Sequence, residues 1–74
     1  MQQKVYIVTA FRRIRGEDHN YLVGVFSSAE KALLAADFEE EYRAWKYECE
    51  VLEYILDERI DHSVVVVKSL SNKS

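Results

Sequence analysis

The amino-acid sequence predicts a two-layer α+β domain, an antiparallel sheet with one helix packed on one of its faces. Two observations support this class. Four segments are rich in β-branched and aromatic residues, and one uninterrupted run of strong helix formers separates the second from the third. The order along the chain is therefore β-β-α-β-β. The 74 residues form one domain, residues 1–74, with an ordered core expected at about 4–70 and a frayed tail at 71–74.

The first two strands are predicted at residues 4–11, KVYIVTAF, and 21–26, YLVGVF. The segment between them, RRIRGEDHN, contains Gly16, Asp18 and Asn20, residue types that favour turns. We therefore expect a β-hairpin with a rather long, charged tip.

The helix is predicted to run from about residue 28 to residue 42 or 43. Ser27 and Glu30 have the S-x-x-E spacing of a capping box, and neither glycine nor proline interrupts the segment that follows. At about 100° per residue, a broad face is expected to pack on the sheet while Leu33 and Leu34 point away from its middle. The residues expected on that face are Ala32, Ala35, Ala36, Phe38 and Tyr42.

The third strand is predicted in WKYECEVLEYILDE, which alternates between polar and apolar residues. Cys49 and Val51 share one phase, whereas Tyr54 and Leu56 have the opposite phase, so a bulge is expected near Leu52. After a charged turn, SVVVVKSL predicts a short last strand. Its continuous valines indicate burial on both sides.

Three stretches, KVYIVT, YLVGVFSSAEKA and EVLEYILDE, resemble a family of short domains from bacteria and their phages. The resemblance extends from about Lys4 to His62, and its most distinctive part is the GVFSSAEKA junction between strand and helix. It implies a ββαβ order and a phage or prophage origin, without a set of catalytic residues to transfer. Two features depart from the family pattern: the acidic EEEYRAW end of the helix, where proline or glycine is usual, and the strongly apolar VVVV strand.

Neither of the first two strands alternates between apolar and polar residues, so both faces of the sheet are expected to be buried. One helix covers one face, and a second copy of the chain is the simplest cover for the other, through that face or by strand pairing at an edge. The alternative is a third strand that curls after its bulge and covers the sheet within one chain. The residues assigned to the dimer or sheet face are Tyr6, Val8, Leu22, Val64, Val65, Val66 and Val67.

Catalytic and metal-binding residues are not expected. The only cysteine, Cys49, excludes an internal disulfide and is predicted to be a buried, unreactive thiol in the third strand. His19 and His62 lie in predicted turns, and no metal-ligand spacing connects them to Cys49. We expect neither an enzyme nor a bound cofactor.

Two charged features are candidates for partner binding. Arg12, Arg13 and Arg15 in the hairpin tip are suited to phosphate or an acidic protein patch, unless Glu17 and Asp18 neutralise them. The second feature is acidic and lies toward the end of the helix, where negative charge opposes the helix dipole. Its residues are Asp37, Glu39, Glu40 and Glu41, and Glu48, Glu50 and Glu53 add to it from the following strand. The leucines of the outer helix surface, Leu33 and Leu34, complete the candidate binding set.

The composition is typical of a cytoplasmic protein. A single cysteine suits a reducing compartment, the N-terminus lacks a long apolar leader, and no stretch reaches transmembrane length. The net charge of −3 argues against a general nucleic-acid binder. The predicted function is that of a small non-enzymatic protein-interaction module acting as a homodimer. The alternatives are a ligand- or nucleic-acid-contacting domain that uses the arginines, and an acidic mimic of nucleic acid that inhibits a host protein.

Overall fold

The computed structural model describes residues 3–14, 17–57 and 65–70, with the backbone alone at positions 13, 14, 17 and 18. It is a small α+β domain in which one helix packs on a four-stranded antiparallel sheet. The elements along the chain are β1 (Lys4–Ile14), β2 (Glu17–Phe26), α1 (Ala29–Tyr42), β3 (Glu48–Ile55) and β4 (Val65–Lys68). The fold class and the order of elements along the chain agree with the sequence prediction.

The strands are arranged in the sheet as β2-β1-β3-β4, which differs from their order along the chain. β1 lies in the middle and pairs with both β2 and β3, whereas β4 pairs with β3. The sequence predicted the elements but not this spatial arrangement. It follows that the hairpin partner β2 and the short β4 form the two edges of the sheet.

The core lies between the helix and the alternate residues of the two central strands. Val8 pairs with Val51 and Ala10 with Cys49, and all four side chains are fully buried. Ala32 and Ala36 of the helix are also fully buried against them. Their small side chains bring the helix close to the sheet.

The helix begins one residue later than predicted. Ser28 is the N-cap, and its Oγ accepts a hydrogen bond from the backbone N–H of Lys31 at 3.2 Å. The predicted capping box is therefore wrong, because Glu30 lies two residues after the true cap rather than three.

The helix also has a different rotation about its axis from the one predicted. Ala32 and Ala36 do face the sheet, but Phe38 and Tyr42 point to solvent, with exposed fractions of 70% and 71%. The carboxylate side chain of Glu40 takes their place in the core. The sequence pattern favoured the large aromatic residues for burial, whereas close packing of helix on sheet selected the alanines.

A Schellman motif ends the helix. The N–H of Ala44 donates to the carbonyl of Glu41 at 3.0 Å, and the N–H of Trp45 donates to the carbonyl of Glu40 at 2.8 Å. Ala44 and Trp45 both have left-handed backbone conformations, with φ of 55° and 66°. Glycine usually adopts this conformation at a helix end, so ending the helix with alanine and tryptophan costs backbone strain.

The predicted hairpin is confirmed, but the prediction of a long tip is wrong. β1 extends to Ile14 and β2 begins at Glu17, so Arg12 and Arg13 belong to a strand rather than to a loop. The charged residues of RRIRGEDHN gave no strand signal, because strand propensity depends on the surroundings of each residue and is a weak guide at positions that face solvent.

An irregularity lies between Val51 and Leu52, as predicted, but in the pairing of β3 with β4. Val51 pairs with Lys68 and Leu52 with Val66, so the additional residue is Val67 of β4. β3 keeps one register with β1 from Glu48 to Ile55 and does not curl over the sheet. The expected burial of the valine run on both sides is wrong, because Val65 and Val66 are about half exposed at the edge.

Candidate functional site

The sheet face opposite the helix carries eight apolar residues together with Thr9, Asn20, Glu48 and Glu50, and no described element packs on it. We call it the open sheet face. Its membership follows from the strand registers, because residues directly opposite each other in antiparallel strands share a face. Its apolar residues are Val5, Ile7, Phe11, Leu22, Val25, Leu52, Tyr54 and Val66.

The residues assigned to the dimer or sheet face lie on both sides of the sheet. Tyr6 and Val8 lie beneath the helix, so their assignment to an uncovered face is corrected. Leu22 and Val66 lie on the open sheet face, with 60% and 54% of their surface exposed. The remaining members are on or beyond β4: Val65 is exposed opposite Glu53, Val67 packs against the core, and Val64 lies outside the described residues.

A second apolar surface runs along the outer side of the helix. Leu34, Phe38 and Tyr42 are four residues apart and form one row, and the exposed Trp45 follows shortly after the helix end. The rings of Phe38 and Tyr42 are stacked, with centroids 6.3 Å apart and planes 8° apart. We call these four residues the helix ridge. Leu33, which was expected to point outward, packs against the core instead.

Three exposed carboxylates lie beside the helix ridge. Glu30, Asp37 and Glu41 occur at spacings of seven and four residues, which places them within about 40° of one another on the same flank. Asp37 is 3.7 Å from Lys68 Nζ but remains 73% exposed. We call these three residues the acidic flank.

Glu40 is a structural residue rather than part of an exposed acidic patch. Its Oε2 accepts from the backbone N–H of Cys49 at 2.8 Å, and its Oε1 accepts from Lys68 Nζ at 2.8 Å. Burial alone would lower the pKa of Lys68, but the hydrogen bond and charge of Glu40 and the charge of Asp37 raise it. Glu40 therefore connects the helix to β3 and β4.

Glu39 is also engaged within the chain. Its Oε2 accepts a hydrogen bond from the Tyr21 hydroxyl and another from Arg43 Nε at 3.1 Å. The hydrogen bond from Tyr21, with a further contribution from Arg43, lowers the pKa of Glu39, although burial opposes the shift. Burial and the same hydrogen bond raise the pKa of Tyr21. Of the four acidic residues predicted at the helix end, Asp37 and Glu41 face solvent.

The predicted arginine cluster is only partly described. Arg12 lies in β1, where its guanidinium is 5.6 Å from the centroid of the Tyr47 ring, and Arg43 lies 5.7 Å from the same ring. The side chain of Arg13 and all of Arg15 are outside the described part of the structure. Arg12 therefore packs on the domain at the end where the helix stops.

The described residues include no recognisable catalytic constellation. Cys49 is fully buried, and desolvation together with the charge of Glu40 raises the pKa of its thiol to about 11. Within residues 3–14, 17–57 and 65–70, no three histidine, cysteine, aspartate or glutamate side chains are grouped so that they could hold a metal ion. His62 lies outside these ranges, and no helix in them is long and apolar enough to cross a membrane.

Sequence reasoning missed the helix ridge, although its signal is present. The row Leu34, Phe38 and Tyr42 has the same four-residue spacing as the buried row Ala32, Ala36 and Glu40. Residue size alone favoured the aromatic row for burial.

Comparisons with protein-family models, with curated proteins and with solved structures find no match to this chain. The resemblance to short bacterial and phage domains stays a prediction, and the functional argument depends on the two apolar surfaces.

Proposed function

We propose that this protein is a small non-enzymatic interaction module of the cytoplasm, and that it acts as a homodimer whose two copies pack through the open sheet face. The observation that carries the proposal is the apolar character of that face. Monomeric proteins rarely expose a contiguous apolar patch of more than a few hundred Å², and larger patches mark interaction surfaces.

The size of the open sheet face suits a second copy of the chain. Four strands, of which the two central ones pair over eight residues, give a face of roughly 20 by 25 Å, or about 500 Å² before side-chain relief is included. Stable interfaces bury about 800 Å² per partner, which is of the same order. Two such sheets face to face form a sandwich whose interior is mainly apolar, with Glu48 and Glu50 toward the end at which β3 begins.

The small size of the chain also supports association. A domain of 74 residues buries a limited fraction of its surface, and its single cysteine is free. In the described residues the fully buried side chains are small, with Val8 and Val51 the largest. Packing a second copy on the open sheet face adds the large apolar side chains that this core lacks.

The alternative functions have less support from the geometry. An acidic mimic of nucleic acid requires solvent-facing carboxylates, and those of Glu39 and Glu40 bind groups of their own chain. Of the three arginines predicted for a phosphate site, Arg12 packs over the ring of Tyr47.

The test compares two substitutions at matched leucines. Leu22 on the open sheet face and Leu34 on the helix ridge are 60% and 64% exposed, so neither is needed for the monomer core. We expect the unmodified chain to be a dimer by light scattering or sedimentation at low micromolar concentration. Leu22→Lys should give a folded monomer, because it buries a charge in the interface, whereas Leu34→Lys should leave the dimer intact.

Three results would contradict the proposal. A monomeric unmodified chain at high micromolar concentration would show that the open sheet face is not covered by a second copy. A dimer that persists in Leu22→Lys would place the interface elsewhere, for example at a strand edge. A dimer that is lost in Leu34→Lys alone would place it on the helix ridge. Circular dichroism of each variant establishes that it is folded.

A further inference from the structure

We propose that the helix ridge is the docking surface for a basic amphipathic helix of a partner protein. This inference rests on the role of the chain as an interaction module. It does not require the dimer, because the ridge and the open sheet face lie on opposite sides of the domain.

The helix ridge is apolar and exposed to solvent. Leu34, Phe38, Tyr42 and Trp45 each expose between 64% and 71% of their surface, although three of them are aromatic. Aromatic residues are enriched in protein interfaces and among the residues that dominate binding energy. Isolated exposed apolar residues need no explanation, but four in one continuous row form a surface that a partner can cover.

The backbone at the end of the helix ridge is strained. Trp45 has a φ of 66° and follows Ala44 at 55°, so two consecutive residues with side chains adopt the left-handed conformation. Such strain is maintained only where the surrounding structure imposes it, and here the Schellman hydrogen bonds hold the Trp45 backbone in place. The result is an exposed tryptophan with a fixed backbone, three residues after Tyr42.

The charges beside the helix ridge select the kind of partner that it can bind. The acidic flank, Glu30, Asp37 and Glu41, lies along one side of the ridge. The other side carries Lys31 and Arg43, and Arg43 lies over the Tyr42 ring and pairs with Glu39. A partner helix that places apolar residues on the ridge brings its own flanking residues against these carboxylates. Lysine or arginine at those positions is attracted to the flank, and glutamate or aspartate is repelled.

The same charges disfavour a second copy on the ridge. In antiparallel helix packing, equivalent flanks of the two helices face each other, so both acidic flanks would meet. Parallel packing would set the three carboxylates against Lys31 and Arg43, and Arg43 already pairs with Glu39 of its own chain. A basic partner helix has neither problem.

The test uses the only tryptophan of the chain as the reporter. Trp45 belongs to the ridge and is 68% exposed, so a docked apolar residue should shift its fluorescence emission to shorter wavelength. The probe is a helical peptide of about 18 residues made of leucine and lysine, with leucines three and four residues apart. The controls are the same peptide with glutamate in place of lysine, and an oligolysine of equal charge.

We expect a saturable blue shift with the leucine-lysine peptide and none with either control peptide. Leu34→Lys should weaken binding by about tenfold or more, since it removes an apolar contact and adds a like charge. Leu22→Lys should bind as the unmodified chain does, whether or not it is monomeric. The same two variants therefore separate the failure of this inference from the failure of the dimer proposal.

Any of three results would overturn the inference. Equal binding of oligolysine would show electrostatic attraction without docking on the ridge. Equal binding of the leucine-glutamate peptide would remove the role of the acidic flank. Loss of binding in Leu22→Lys with retention in Leu34→Lys would place the site on the open sheet face.

Discussion

At the scale of single residues, Glu40 shows how a charged side chain can be part of the core of a small domain. Its two oxygens accept from a backbone N–H of β3 and from the ammonium group of Lys68 at the end of β4. The Glu40 side chain is only 10% exposed, while Lys68 retains 28% exposure. The pair is thus partly screened by water on the lysine side, and its larger contribution comes from satisfying buried donors.

Replacing Glu40 by alanine should destabilise the fold by about 2–3 kcal/mol, because the Cys49 N–H and the Lys68 ammonium would both lose their acceptor. Glu40→Gln keeps an acceptor for Cys49 and should cost less. Urea unfolding at one fixed protein concentration measures both changes. The matched control is Glu41→Ala, which removes an exposed carboxylate from the next position and should change stability by no more than about 0.5 kcal/mol. Equal effects at positions 40 and 41 would show that the buried contacts of Glu40 do not stabilise the domain.

Glu39 predicts a pH dependence of stability. Its pKa is lowered in the folded chain, chiefly by the hydrogen bond from Tyr21, so it binds protons more readily when unfolded. Its contribution is therefore fully present above the unfolded value of about 4.3 and is lost as the pH falls through the lowered folded value. Glu39→Gln should reduce the unfolding free energy at pH 7, and the difference from the unmodified chain should shrink on acidification below about pH 4. A difference that is constant from neutral to acidic pH would contradict this assignment.

At the scale of elements, the end of the helix carries a strain that one substitution can relieve. Ala44 occupies the left-handed position of the Schellman motif, where an L-residue costs about 1 kcal/mol or more relative to glycine. Ala44→Gly should therefore raise the free energy of unfolding by about 1 kcal/mol. Ala35→Gly, the same change within the helix, should lower it by about 1 kcal/mol. Thermal unfolding of the two variants should shift the midpoint in opposite directions, and a shift in the same direction would show that Ala44 is not strained.

The elements also show what the sequence alone could predict. Strand and helix positions followed from residue type and periodicity, since those signals are local. The rotation of the helix about its axis did not follow from them. Ala32 and Phe38 both belong to rows of residues spaced four apart, and only the distance between helix and sheet distinguishes the two rows. The strand ends near Arg12 and His19 were hidden by the charged and polar residues around them, although these two residues pair directly and continue the hairpin ladder.

At the scale of the whole molecule, the surplus of apolar residues was predictable and its distribution was not. The sequence indicated that one helix could not cover both faces of the sheet, and one face is indeed uncovered by any described element. It could not indicate which alternate set of β1 faces the helix, because Val8 and Ile7 are equally apolar. The role of Glu39 and Glu40 as internal partners was also hidden, since it depends on Tyr21, Cys49 and Lys68, which are distant in sequence.

The order β2-β1-β3-β4 leaves the valine-rich β4 at one edge of the sheet, and this has a consequence for refolding at high concentration. An exposed edge of this composition can template cross-β growth, in which each molecule adds a strand to the next and no symmetry closes the assembly. Lysine at such an edge opposes this growth, and Lys68 is held there by Glu40. We therefore expect that loss of the contact that anchors the last strand also favours fibril formation.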